Sequence, residues 1–124
     1  MHKQNDLAKL LLRLGFGGFM LVHGVPKLMK LLEGGPYEFA DPIGLGPTIS
    51  LILTVFAEVV CSILIVIGYK TKWAVIPLII TMLVAALVVH WPHPWNKKEL
   101  GLLFAIGYIV IGLLGSGKYS IDRK

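Results

Sequence analysis

The sequence contains little charge and only one cysteine. Charged residues make up 15% of the 124 residues, and Cys61 is the single cysteine. A soluble domain usually carries about a quarter charged residues, so this composition argues against an ordinary water-exposed fold. A lone cysteine excludes an intramolecular disulfide. The sequence also has no cofactor motif, no internal repeat and no standard metal-binding motif, and it therefore predicts no bound metal.

Much of the sequence consists of long apolar runs. The hydrophobic fraction is 56%, and the mean hydropathy is +0.76. About 20 helical residues cross a hydrocarbon core of about 30 Å, and four segments are close to that length or longer. They lie at about residues 7–32, 48–68, 73–91 and 99–114. The pattern predicts an all-α protein, an integral membrane four-helix bundle with up-down topology that forms one domain over residues 1–124.

The distribution of basic residues predicts which way this bundle faces. Four crossings place both termini on one side, with eight Lys and Arg residues there and four opposite. The eight are Lys3, Lys9, Arg13, Lys70, Lys72, Lys118, Arg123 and Lys124, and the four are Lys27, Lys30, Lys97 and Lys98. The positive-inside rule then predicts that both termini lie in the cytoplasm. Because these residues lie at helix ends and in loops, we expect them to contact lipid headgroups rather than nucleic acid.

Ionisable residues inside the apolar segments are the candidate functional residues. A charge at the bilayer centre costs from about 2.5 to more than 10 kcal/mol, so such groups face the bundle interior and find partners. Glu58 is the strongest candidate, since it lies about ten residues from either end of its segment. Ser50, Thr54 and Cys61 share its helix face, which is therefore small and polar. A proton-handling or ligand-binding role and a buried ion pair that fixes helix register both remain open for Glu58.

Arg13 is the predicted partner of Glu58. It lies about six residues inside the first segment, which leaves a height difference of about 6 Å from Glu58 at 1.5 Å per residue. An arginine side chain spans that distance. The alternative is that Arg13 extends to the lipid headgroups.

Three histidines and two charged residues gather at the predicted outer side. His23 and Lys27 are one turn apart on the first segment, His90 and His93 close the third, and Glu99 opens the fourth. One interpretation is a set of polar residues at the membrane interface. The other is a small-molecule pocket that opens outward, with imidazoles as proton donors or acceptors.

Several short motifs occur in the same order as in a known family. They are Leu12-Arg13-Leu14-Gly15, His23-Gly24-Val25-Pro26-Lys27, Ala57-Glu58, Lys70-Thr71-Lys72, His90, Glu99 and the closing Gly115-Ser116-Gly117-Lys118-Tyr119-Ser120-Ile121-Asp122. In this order the sequence resembles the DoxX family of small bacterial four-helix membrane proteins. That family includes subunits of thiosulfate:quinone oxidoreductase. The resemblance implies a membrane oxidoreductase subunit or an accessory protein.

Three functions are compatible with these features. The first is a quinone-linked redox subunit, in which Glu58, His23 and His90 act as catalytic proton donors and acceptors and a partner redox subunit or bound substrate supplies electrons. The second is a transporter or binding protein for a small anion or lipid, acting as a homodimer. The third is an assembly subunit whose buried charges only lock the bundle. The residues predicted to bind substrate are Arg13, Lys27, Glu99 and His93.

Overall fold

The structure is a computed structural model that describes residues 2–35, 44, 46–89, 92 and 94–122. All regular structure in these residues is helical, with no strand, as the sequence predicts. We name the helices in chain order. They are α1 (His2–Leu32), α2 (Pro47–Ile67), α3 (Thr71–Val89) and α4 (Trp95–Leu114).

Within the described residues, α1, α2 and α3 are long and apolar enough to cross a membrane. The fourth helix has 20 residues, but three charged residues lie in its first two turns, at positions 97, 98 and 99. The rest of α4 is apolar. The outward faces of the helices are apolar as well, and Phe19, Trp73 and Leu113 are 69%, 74% and 78% exposed. Such continuous apolar surface is suited to lipid.

Two helices begin earlier than the sequence predicts. α1 starts at His2 rather than near Leu7, and α4 starts at Trp95 rather than near Glu99. The extra turns of α1 pack against the end of the chain, since the Lys118 amide donates to Asp6 Oδ1 over 3.2 Å. For α4, a proline directly before Trp95 suits a helix start because its missing N–H would have no helical acceptor.

Two stretches of the helices widen into π-helical turns. One covers Phe56–Cys61 in the middle of α2, and the other covers Ala85–Val89 at the end of α3. A π-helical turn inside an α-helix often marks a functional site. The turn in α2 contains Glu58 and buries four of its six side chains.

Helices α1 and α2 run antiparallel and touch closely through two glycines of α1. A Cβ atom at Gly17 would lie 2.7 Å from Val66 Cγ2, and one at Gly24 would lie 2.8 Å from the Glu58 carbonyl oxygen. Only glycine permits this approach. The two contacts fix the register in which α1 side chains meet α2.

The apolar core forms two clusters along the helices. The larger one includes Met20, Ile65, Leu78 and Tyr108, all at most 2% exposed. The smaller one joins Leu51, Val55 and Val59 to partly buried leucines of α1. Glu58 lies in the π-helical turn between the residues of these two clusters, so the polar site described next is enclosed by apolar side chains.

Candidate functional site

Glu58 forms an ion pair with Lys27 of α1. Lys27 Nζ donates to both carboxylate oxygens, at 2.9 Å from Oε1 and 2.8 Å from Oε2. The Glu58 side chain is only 2% exposed, whereas that of Lys27 is 36% exposed. The pair therefore joins a buried carboxylate to a lysine whose side chain still reaches the surroundings of the helices.

The backbone around Glu58 explains how a lysine reaches it. Gly24 brings α1 against the Glu58 backbone, and Lys27 lies one turn further along the same face. The π-helical turn places Glu58 toward α1 and keeps Ala57 and Cys61 in the core. Close helix approach and the widened turn together set the carboxylate within hydrogen-bond distance of a flexible lysine.

The predicted pairing of Arg13 with Glu58 is wrong. Arg13 is 1% exposed, and its guanidinium donates to four backbone carbonyls instead. Nε reaches the Ser116 oxygen over 2.9 Å, Nη1 reaches those of Ile65 and Val66 over 3.3 and 2.8 Å, and Nη2 reaches that of Tyr119. The physical reason is register, because Gly17 and Gly24 align Arg13 with the end of α2 rather than with its middle.

The Arg13 contacts complete the hydrogen bonding of the last turn of α2. The final carbonyls of a helix lack partners within the helix, and apolar surroundings offer none. The Leu64 oxygen accepts from the Tyr69 amide, the Ile67 oxygen accepts from the Ile121 amide, and Arg13 serves the two carbonyls between them. Arg13 thus has a structural role, because its guanidinium caps the C-terminal end of α2.

The segment 115–122 folds back over this end of the molecule. Its Ser116 hydroxyl donates to Thr71 Oγ1 over 2.7 Å, and Asp122 accepts the Thr71 amide at 3.3 Å. Gly68, with φ of 72°, leaves the room that Ser120 needs, since a Cβ there would lie 2.2 Å from Ser120 Cβ. We call residues 115–122 together with Arg13 the terminal cap.

His23 lies on a different face of α1 from the ion pair. Its exposed ring meets the Phe104 ring of α4 edge-on, with centroids 6.0 Å apart. Both residues line an apolar groove of about 750 Å³ between α1 and α4. His23 and Lys27 are therefore one turn apart in sequence, but they serve two separate places.

Of the remaining predicted site residues, the structure describes Glu99, which is exposed near the start of α4. His90 and His93 lie outside the described residues, so the predicted outward-opening pocket is described only at His23, Lys27 and Glu99. The proposed roles of Glu99, His90 and His93 stay predictions.

Two buried polar residues near Glu58 were missed by sequence reasoning. Tyr108 is 0% exposed, and its hydroxyl donates to the Phe16 carbonyl oxygen over 3.1 Å. Ser62 is also 0% exposed. Ser62 follows Glu58 by four positions, so the polar stripe already seen at Ser50, Thr54 and Glu58 contained the signal for it.

This arrangement is suited to proton exchange. A buried carboxylate is costly without a partner, and the Lys27 ammonium supplies that partner through both carboxylate oxygens. The exposed part of Lys27 offers the contact with an incoming molecule, and Glu58 holds the complementary charge beneath it.

A family model of DoxX proteins matches residues 8–91. The match covers more than half of the 124 residues and includes Arg13, Lys27 and Glu58. It ends before α4 begins. Comparison with curated proteins and with solved structures gives no match.

Proposed function

The chain belongs to the DoxX family, and from that premise we propose that it is a quinone-linked oxidoreductase subunit, or an accessory protein of such an enzyme. In this proposal the four helices form an up-down bundle in a bacterial inner membrane, with both termini in the cytoplasm. The chain acts as a homodimer, and a partner redox subunit supplies electrons. The described residues hold no cysteine pair that could carry electrons themselves.

One observation carries the proposal, namely the Lys27–Glu58 ion pair in the apolar interior. Reduction of a quinone to a quinol takes up two electrons and two protons. The electrons come from the partner subunit. Lys27 Nζ gives a proton to one quinone oxygen, takes up a proton from outside the apolar interior and then gives a second one to the other oxygen, while the Glu58 carboxylate holds the ammonium in place. A buried acid–base pair with one exposed member fits this task, since the site must both hold protons and accept them again from outside.

The contrast with Arg13 favours a working site over a purely structural pair. Gly17 and Gly24 already fix the register of α1 on α2, and Arg13 joins these helices at one end, so register alone does not require a second buried charge. Lys27 is also the more exposed of the two cations, since its side chain is 36% exposed and Arg13 is 1% exposed.

Binding of a short-chain quinone to the purified chain in lipid nanodiscs tests this proposal. Glu58→Gln and Lys27→Met should each weaken the quinone affinity by about tenfold, which corresponds to about 1.4 kcal/mol. Asp6→Asn is the matched control, because Asp6 accepts a hydrogen bond at the far end of α1. Its affinity should equal that of the wild type. If both site variants fold, as judged by circular dichroism, and bind quinone as the wild type does, the proposal is wrong.

An assembly subunit is the second candidate, favoured by the way Lys27 satisfies both oxygens of Glu58. In that case the pair only joins α1 to α2. The variants would then lower stability and complex assembly together while quinone affinity stays unchanged. Copurification of the partner subunit with Glu58→Gln separates the two functions, because a redox role leaves assembly intact.

A further inference from the structure

The Lys27–Glu58 ion pair does not lie midway between the two ends of α1. Lys27 is five residues from the end of this helix at Leu32, a rise of about 7.5 Å at 1.5 Å per residue. Fourteen residues, or about 21 Å, separate it from Arg13 in the terminal cap. We call the end of the molecule that holds the terminal cap the cap end, and the end where α1 stops the opposite end. Lys27 is close to the opposite end and far from the cap end.

The Lys27 side chain connects the buried carboxylate with the opposite end. A lysine near the end of a helix extends its ammonium to the membrane interface along an apolar stem. The side chain of Lys27 is 36% exposed, whereas that of Glu58 is 2% exposed. Residues 33–35, which follow α1 at this end, are exposed as well. A movement of one side chain therefore carries the amine from the carboxylate to the surface at the opposite end.

On the cap side of the ion pair, the interior is filled by packed side chains. Met20 and Ile65 are at most 2% exposed and belong to the larger apolar cluster. Two hydroxyls, those of Ser62 and Tyr108, are buried in the same region. Tyr108 donates its proton to the Phe16 carbonyl oxygen, within the bundle. A proton that came from the cap end would therefore have to cross a mostly apolar layer, in which charge is costly.

A fixed positive charge lies beyond this layer. Arg13 is 1% exposed, and its guanidinium donates to four backbone carbonyls, which hold it in place. An arginine keeps its charge in proteins. A buried positive charge is also an electrostatic barrier to protons and other cations. The cap end is thus closed to protons both by apolar packing and by charge, whereas no such barrier separates the exposed part of Lys27 from the opposite end.

We propose that the Lys27–Glu58 pair exchanges protons with one face of the membrane, the face at the opposite end, and not with the face at the cap end. After Nζ has given a proton to a quinone oxygen, the neutral amine moves away from Glu58. Its lone pair takes a proton from water at that face, and the ammonium returns to the carboxylate. The use of the protons rests on the proposed function, whereas their origin rests on the positions of Lys27 and Arg13. With both termini in the cytoplasm, the face that supplies protons is the outer one.

Acylation of lysines in the wild-type chain tests which face reaches Lys27. The reagent is the acetate ester of sulfonated N-hydroxysuccinimide, whose charge keeps it from crossing a membrane. It is added to spheroplasts, which expose the outer face of a bacterial inner membrane, and to inverted vesicles, which expose the cytoplasmic face. Peptide mass spectrometry then measures the modification of each lysine. Lys72 and Lys118 are exposed at the cap end and identify the face on which the cap lies. Lys27 should react at least about tenfold faster from the other face.

A variant of the ion pair sharpens this test. The neutral amine is the form that reacts, and the Glu58 carboxylate favours the ammonium. Glu58→Gln should therefore raise the acylation of Lys27 by about tenfold, again from the face at the opposite end. Asp6→Asn is the matched control, because it removes a carboxylate at the cap end that contacts the Lys118 amide. It should leave the acylation of Lys27 unchanged.

Three results would overturn the proposal. They are acylation of Lys27 from the face that reaches Lys118, equal acylation from both faces, and acylation from neither face even in Glu58→Gln. The experiment contains no quinone, so its result is independent of the quinone-binding test. One-sided acylation together with unchanged quinone affinity in the site variants would leave the one-sided access and remove the quinone role. Two-sided acylation together with the expected loss of quinone affinity would do the reverse.

Discussion

Arg13 and Glu58 are both buried charges on the same two helices, but their surroundings differ. Arg13 gives four hydrogen bonds to backbone carbonyls from two separate parts of the chain, the end of α2 and the segment 115–122. Glu58 accepts both of its hydrogen bonds from one side chain, which is itself 36% exposed. The Arg13 guanidinium loses its hydrogen-bond partners only if the fold opens. The Glu58 carboxylate loses its partner whenever the Lys27 side chain moves away. The surroundings of Arg13 therefore suit a structural role, and those of Glu58 suit proton exchange.

Loss of the Arg13 guanidinium should have the largest effect. Arg13→Ala leaves the carbonyls of Ser116 and Val66 without their donor, and hydrogen bonds to a charged group contribute about 1.5–3 kcal/mol each. We expect the free energy of unfolding in mixed micelles to fall by at least about 3 kcal/mol. Arg13→Lys should lose most of this as well, because a point-like ammonium does not span the separated acceptors.

Arg13→Ala also tests whether Arg13 and Glu58 interact. Since Arg13 and Glu58 do not pair, the losses in Arg13→Ala and Glu58→Ala should add to within about 0.5 kcal/mol in the double variant. A partial rescue in the double variant would contradict the structure and restore the direct pairing that the sequence suggests.

Loss of the Lys27 ammonium should have a smaller effect. Lys27→Met leaves Glu58 buried without a partner and should cost about 2–3 kcal/mol, less than Arg13→Ala because Lys27 is partly exposed. The double variant Lys27→Met with Glu58→Gln should recover about half of the loss, since the unpaired charge is gone. Unfolding in mixed micelles measures both, and purely additive losses would show that the two residues are not coupled.

The smallest effect is expected at the glycine that brings α1 against Glu58. Gly24→Ala places a Cβ 2.8 Å from the Glu58 carbonyl oxygen and should cost about 1–3 kcal/mol through overpacking. Gly18→Ala meets open space and should be neutral or stabilise α1 by up to about 1 kcal/mol. Opposite signs at these two positions would establish that close approach, and not glycine as such, determines the Lys27–Glu58 geometry.

The helical character and the burial of Glu58 were accessible from the sequence. Apolar length predicts helices that reach across a bilayer, and the small, polar stripe through Ser50, Thr54 and Glu58 predicts an inward face. Both depend only on the period of one helix, which a single sequence contains. The DoxX resemblance was likewise accessible from short motifs, and the family match over residues 8–91 confirms it.

The partner of Glu58 was not accessible, because it depends on the offset between two helices. Depths counted from the predicted helix ends placed Arg13 opposite the middle of α2. In the structure α1 begins at His2 and extends past the end of α2, so that Arg13 lies level with Ile65 and Val66. Gly17 and Gly24 set this register. With this register Lys27, and not Arg13, reaches the Glu58 carboxylate. The fold-back of residues 115–122 also requires contacts more than a hundred positions apart, such as Arg13 to Ser116, which no local pattern contains.

The terminal cap has a consequence for the order in which the chain is synthesised and inserted into the membrane. Synthesis proceeds from the N-terminus, so Arg13 enters the membrane about a hundred residues before Ser116 and Tyr119, two of its four acceptors, are joined to the chain. Until then its guanidinium must keep water or headgroups as partners at the membrane surface. The first helix is therefore expected to take its final depth last, after the end of the chain has left the ribosome. A nascent chain that stops before Ser116 would leave the Arg13 guanidinium without two of its four acceptors.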